Sequence, residues 1–202
     1  RGGDTFHDHE RHPVQRLTTS GILAVSSNTG TIQIGEMLSN DTLHSYLTKF
    51  GIGVSTGSGL PGESKGLFRP VSDWSGTTAP TVAFGQGYSL TAMQATSIFA
   101  TIANDGVRVS PTVIAGTSDS SGKFTAAVAR TTQRVVSAQT AQQLRVMMES
   151  VVSAQGTAPS AAIPGYRVAG KTGTAMRYDS GCGCYSGYTA SFIGFAPADA
   201  PR

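Results

Sequence analysis

The run Lys171-Thr172-Gly173-Thr174 places a cation, two hydroxyls and a residue without a Cβ within four positions. Together they suit a small carboxylate: the ammonium supplies charge, the hydroxyls donate, and the glycine lets a ligand approach the backbone. In a strand, Lys171 and Gly173 are expected on one face and Thr172 and Thr174 on the other, while unpaired N–H groups of an edge strand can also bind substrate. Far upstream, Ser26-x-Asn28 offers a hydroxyl and an amide two positions apart. By itself that pair describes a helix cap as well as a catalytic element. His7, His9 and His12 lie in the polar run His-Asp-His-Glu-Arg-His and read as solvated side chains rather than metal ligands, so no metal or cofactor is inferred. Cys182 and Cys184, separated by Gly183, read as loop thiols, with a strained redox-active disulfide or a shared metal as the alternatives.

The elements that must hold these groups follow from periodicity. Leu17 to Val25 is an apolar run ending at Ser26-Ser27-Asn28, and Thr31 to Leu38 continues with helical character. Asn40 or Asp41 caps an amphipathic helix with Leu43, Tyr46, Leu47 and Phe50 on one stripe, ended by Gly51. Residues 51–81, rich in Gly, Ser, Pro and Thr, read as a long surface excursion. A helix follows Gly85-Gln86-Gly87, carries Leu90, Met93 and Ile98 to Ile102, and stops at Asn104-Asp105-Gly106. Gln86 and Tyr88 read as part of a rigid turn feeding that helix, with direct substrate contact as the alternative. Val107 to Ile114 and Ala127 to Val136 read as short strands around the turn Ser118 to Gly122. Ser137 caps a helix whose face is Ala141, Leu144, Met147, Met148 and Val151. Two strands, around Val168–Thr174 and Tyr188–Phe195, close the chain as an antiparallel pair. Helices preceding adjacent antiparallel strands predict an α+β domain.

Composition narrows the function classes. With 202 residues and 39% hydrophobic content, one core and one domain, or part of one, is expected. The net charge of +3 comes from scattered basic residues without aromatic interleaving, which argues against nucleic-acid binding. No apolar run approaches the ~20 residues that span a bilayer, and the chain opens without methionine on an irregular stretch, as a piece of a longer protein would.

Lys-Thr-Gly and a Ser-x-Asn element are two of the three active-site motifs of penicillin-binding proteins, the third being Ser-x-x-Lys. Here the two occur in the family order. The chain also resembles class B penicillin-binding proteins along Phe50-Gly-Ile-Gly53, Leu60-Pro-Gly-Glu-Ser64, Phe84-Gly-Gln-Gly-Tyr-Ser-Leu-Thr-Ala-Met-Gln94, Ala103-Asn-Asp-Gly-Val107 with Pro111, and Ser191-Phe-Ile-Gly-Phe-Ala-Pro197. The resemblance runs from Leu17 onward and is to the division and elongation transpeptidases. It implies a penicillin-binding protein/serine β-lactamase-like fold and a D,D-transpeptidase that cross-links peptidoglycan stem peptides through a serine acyl-enzyme and takes β-lactams. Residue by residue, it implies Ser26 as proton relay, Asn28 as amide donor to the substrate backbone, and Lys171 as the source of positive potential. It further implies Thr172 and Thr174 as hydroxyl donors to the substrate carboxylate, Gly173 between them, and the Thr174 N–H as half of an oxyanion hole.

The departure is Ser-x-x-Lys. Only Ser120-x-x-Lys123 fits the pattern, and it follows Ser26 within a glycine-bearing turn. The nucleophile is therefore expected before Arg1, and a further strand and helix after the chain's end, so that residues 1–202 form a partial transpeptidase domain that is inactive alone. The resemblance also implies a membrane-anchored parent on the extracytoplasmic face, with divisome or elongasome partners. A catalytically silent cell-wall or divisome binding module, a D,D-carboxypeptidase and a β-lactamase remain as alternatives.

Overall fold

The computed structural model describes residues 2–127 and 130–201; Arg1, Val128, Ala129 and Arg202 lie outside them. The architecture is α+β, as the element pattern predicts. Helix α1 (Thr19–Val25) is capped by the Thr18 hydroxyl, and α2 (Asn28–Gly35) follows after only Ser26 and Ser27. Helix α3 (Asn40–Phe50) begins one residue earlier than the sequence suggests, with Ser39 accepting the Thr42 N–H, and Gly51 ends it at φ 111°, where an L side chain would be strained.

Residues 51–81 are not one open excursion. They contain a 3-10 turn, Val71–Asp73, and the start of a helix, α4 (Thr78–Ala83), which periodicity could not reveal because it is six residues long with Pro80 in its first turn. The loop is tied down at three places. The Glu63 carboxylate accepts from the backbone and hydroxyls of the buried residues Thr56 and Ser58. Phe68 stacks on His44 at 4.4 Å and meets Tyr88 edge-on at 5.8 Å, in keeping with a rigid turn at 86–88. Gln94, 1% exposed, sends its Nε2 to the carbonyls of Gly51, Val54 and Lys65. Its Oε1 accepts the Thr91 N–H while the Thr91 hydroxyl accepts the Gln94 N–H, a capping box that starts α5 (Ala92–Ala103).

The strands expected around Ser118–Gly122 form two separate antiparallel ladders, one nested within the other along the chain, rather than one hairpin. They pair β1 (Val107–Val109) with β4 (Thr132–Arg134) and β2 (Gly116–Ser118) with β3 (Phe124–Ala126). Pro111, lacking an N–H, falls in the interruption between them. Ser120 and Lys123 lie in the β2–β3 turn, where Asp119 accepts from the Ser121 and Lys123 backbone. Helix α6 (Ala138–Glu149) is capped by Ser137 and runs into a 3-10 turn, Ser150–Val152.

The long hairpin of β5 (Ala169–Asp179) and β6 (Cys184–Phe195) pairs Lys171 with Ile193 and Gly173 with Ser191. At its tip Cys182 and Cys184 are disulfide-bonded with Cα atoms 5.2 Å apart, which corrects the loop-thiol reading. The bond forms because Gly183, at φ 64°, turns the chain tightly enough to face the two sulfurs toward each other. The core joins Ile102, Met148, Ala169 and Ala198, flanked by Leu23, Phe50, Phe99, Leu144 and Phe195. It thereby locks α1, α5 and α6 against the base of the hairpin, where the Lys-Thr-Gly run begins.

Candidate active site

Ser26 is the joint between two helices. It sits at φ 56°, ψ 45°, the left-handed region usually filled by glycine after a helix. The Ser27 N–H reaches back to the Ile22 carbonyl at 3.0 Å, the long bond of a Schellman-type stop. Ser27 then caps α2, its hydroxyl accepting the Gly30 N–H at 3.0 Å. One residue thus ends α1, the next starts α2, and the Ser26 side chain is presented at the bend. The serine thus occupies a backbone conformation for which glycine is the easier residue.

The Ser26 hydroxyl meets β5. Lys171 Nζ donates to Ser26 Oγ at 2.7 Å and to the Thr172 carbonyl at 3.0 Å, and lies 3.4 Å from Thr172 Oγ1. Strand alternation assigns Lys171 and Thr172 to opposite faces, but the four-carbon lysine stem curls across the backbone and brings the charge beside both. Burial lowers the Lys171 pKa from 10.5. Ser26, Lys171 and Thr172 therefore converge, as their types suggest.

The other expected residues occupy different surroundings. Asn28 is the first residue of α2, and its Nδ2 donates to the His7 carbonyl at 3.1 Å. Gly173 faces Ser191 across the ladder, and a Cβ at 173 would lie 2.7 Å from Ser191 Oγ, so the glycine leaves room for the serine side chain of the paired strand. Thr174 is exposed and pairs with Ala190.

Two contributors escaped the sequence reading. Thr157 Oγ1 lies 2.7 Å from Thr172 Oγ1, and the Thr157 N–H donates to the Ala24 carbonyl, so one residue ties the last turn of α1 to β5. Asp8 accepts from Ser27 and Thr29 on either side of Asn28. Asp8 and the His7 carbonyl thus dock the His-Asp-His-Glu-Arg-His run against the Ser-x-Asn turn, while His7, His9 and His12 are exposed, as expected. No local pattern signals either contact, since the partners lie 15 or more residues away.

A cation on a hairpin edge, a serine at a helix joint and a threonine beside both are thus brought together by the packing of α1, α6 and β5. The chain belongs to the penicillin binding protein transpeptidase domain family, which matches residues 1–202. It is 46% identical over its full length to the penicillin-binding protein PbpB of Mycobacterium tuberculosis, of which it covers 31%. It is 33% identical over 98% of its length to the peptidoglycan D,D-transpeptidase FtsI of Escherichia coli, of which it covers 32%. Among solved structures, the M. tuberculosis penicillin binding protein 3 complexed with aztreonam superposes with a TM-score of 0.96 at 46% identity, covering all of this chain and 47% of that one. The chain thus spans about a third of the length of its curated relatives and about half of the solved structures.

Proposed function

We propose that residues 1–202 are part of the transpeptidase domain of a peptidoglycan D,D-transpeptidase, and that its acylated serine lies N-terminal to Arg1. The carrying observation is the 2.7 Å contact from Lys171 Nζ to Ser26 Oγ. Because the ammonium donates, Ser26 Oγ accepts, and the serine's own hydrogen is left to point away from Lys171 toward a reacting atom. In this reading the nucleophile attacks the penultimate D-Ala carbonyl, Ser26 delivers a proton to the departing D-alanine nitrogen, and an amine of a second stem peptide later takes the acyl group. Thr172 and Thr174 donate to the terminal carboxylate, the Asn28 amide bonds the substrate backbone, Gly173 leaves space for its chain, and the Thr174 N–H faces the developing oxyanion.

The Cys182–Cys184 disulfide supports placement on the extracytoplasmic face, in an oxidising compartment. No helix among the described residues is long and apolar enough to cross a membrane, so in this reading an anchor in the rest of the parent holds it there, among division or elongation partners. The test is mass spectrometry of the full-length protein with a fluorescent penicillin. One covalent adduct on a peptide preceding Arg1 is expected, and with a D-Ala-D-Ala stem peptide in place of the penicillin, D-alanine release that rises when an acceptor amine is supplied. No adduct would favour a silent binding module; an adduct without amine dependence would favour a carboxypeptidase or β-lactamase.

A further inference from the structure

We propose that Asp8 is a positioning residue for the Ser26–Asn28 turn, clamping the start of α2 so that Asn28 and Ser26 stand in register with Lys171; this rests on the transpeptidase reading above. The Asp8 side chain is 11% exposed and reaches the turn from outside the helix pair, nineteen residues before Ser27. Its Oδ1 accepts the Thr29 N–H at 2.8 Å. Its Oδ2 accepts the Ser27 hydroxyl at 2.9 Å and the Thr29 hydroxyl at 3.2 Å. With Ser27 taking the Gly30 N–H, the second and third amides of α2 are capped by two side chains that are bonded to each other. Asn28 stands between the two residues that Asp8 holds, and the adjacent His7 carbonyl ties its Nδ2. That bond sets which way the amide turns and leaves its oxygen and second N–H for a ligand.

His12 braces the clamp from the solvent side. Its Nε2 lies 2.8 Å from Asp8 Oδ2 and its Nδ1 2.8 Å from the Pro13 carbonyl. Both neighbours are acceptors, so only the doubly protonated ring satisfies both. Burial pushes the Asp8 carboxyl up, but the bonds from Thr29, His12 and Ser27 outweigh it and keep it below 3.8, ionised beside the positive end of α2. A plain helix cap would need one such acceptor. This carboxylate binds both neighbours of the proposed substrate-binding amide, where a displacement of about 1 Å can cost ~100-fold in rate.

The experiment uses the full-length protein, single-turnover acylation by a fluorescent penicillin, and hydrogen exchange of the 26–30 amides. In Asp8→Asn we expect acylation slowed about 10-fold, a shift well within what misplacement produces, with complete labelling at the endpoint, a Tm lowered by a few degrees that stays above the assay temperature, and faster exchange at residues 28–30. In an Asn28→Ala background the same Asp8→Asn change should cost less than about 2-fold, since residues acting through one another are not additive. Unchanged acylation, slowing that merely follows a fall in endpoint or a Tm at or below the assay temperature, or an equal loss in the Asn28→Ala background would each overturn the positioning role. If the wild type takes no label, the transpeptidase reading fails; exchange at 28–30 that Asp8→Asn leaves unaltered would then still overturn the clamp.

Discussion

Lys171 Nζ lies 2.7 Å from Ser26 Oγ across 145 residues of sequence. The contact exists because α1 is held against α6 and the 3-10 turn after it, which in turn pack on β5. Two features of the pair, the left-handed backbone of Ser26 and the burial of Lys171, have separate consequences.

Ser26→Ala and Ser26→Gly both remove the hydroxyl, and both should slow penicillin acylation of the full-length protein by ~100-fold. They should differ in stability: at φ 56° the alanine keeps a Cβ that the glycine lacks, so the glycine variant should be more stable by about 1 kcal/mol. Equal melting temperatures would refute the account of Ser26 as a strained joint.

Burial lowers the Lys171 pKa from 10.5, and only the protonated amine carries the positive charge and the charge-assisted bond to Ser26. Acylation should therefore decline on the alkaline side at a pH below 10.5. Lys171→Arg, whose guanidinium does not titrate there, should lack that limb at a reduced rate. A limb that persists in Lys171→Arg would assign it to another group.

Thr157→Val deletes the hydroxyl that faces Thr172 while keeping the backbone bond to Ala24. One lost hydrogen bond of this type is worth about 1 kcal/mol, or ~5-fold. Because Thr172 is assigned to the substrate carboxylate, the loss should fall on the non-covalent affinity for penicillin and not on the acylation step, which progress curves at varied penicillin concentration separate.

Gln94→Leu leaves the carbonyls of Gly51, Val54 and Lys65 and the Thr91 N–H without their partner. At ~1–3 kcal/mol for each buried group stranded, a loss of at least about 3 kcal/mol is expected. Thermal denaturation should register a fall of roughly 10 °C, and limited proteolysis should cut within residues 51–67. A melting temperature near wild type would mean that water replaces the glutamine amide.

Bonds from Thr56, opposed by a smaller desolvation effect, hold the Glu63 carboxyl at about 2 against its ordinary 4.5. A depressed carboxylate stabilises the fold above 4.5, and that contribution is lost as pH falls from 4.5 toward 2. Wild type should therefore melt above Glu63→Gln at pH 6, with the gap closing over that window. A gap independent of pH would place the effect in packing instead of charge.

Much of the fold was legible because its signals are local. Helices α3, α5 and α6 announce themselves by apolar spacing, and the first two by the residues that stop them, Gly51 and Asn104, while the Lys-Thr-Gly run suggests its chemistry by residue type. Helix α4 did not, since six residues carry too little periodicity, and the Glu63 cradle hides inside a glycine-rich stretch.

The amino-acid order alone determined the α+β class and the cation and hydroxyls of the Lys171–Thr174 run, since propensity, periodicity and functional-group chemistry are properties of the residues themselves; Ser26 was singled out by the family resemblance. Only the tertiary structure decided that a lysine stem would curl across its strand to reach a serine at a helix joint. The same holds for Thr157, which links α1 to β5, and for a polar histidine-rich run that delivers Asp8 to the start of α2. Those contacts depend on how separate elements pack, and packing is settled by the whole core at once, which no short window of sequence contains.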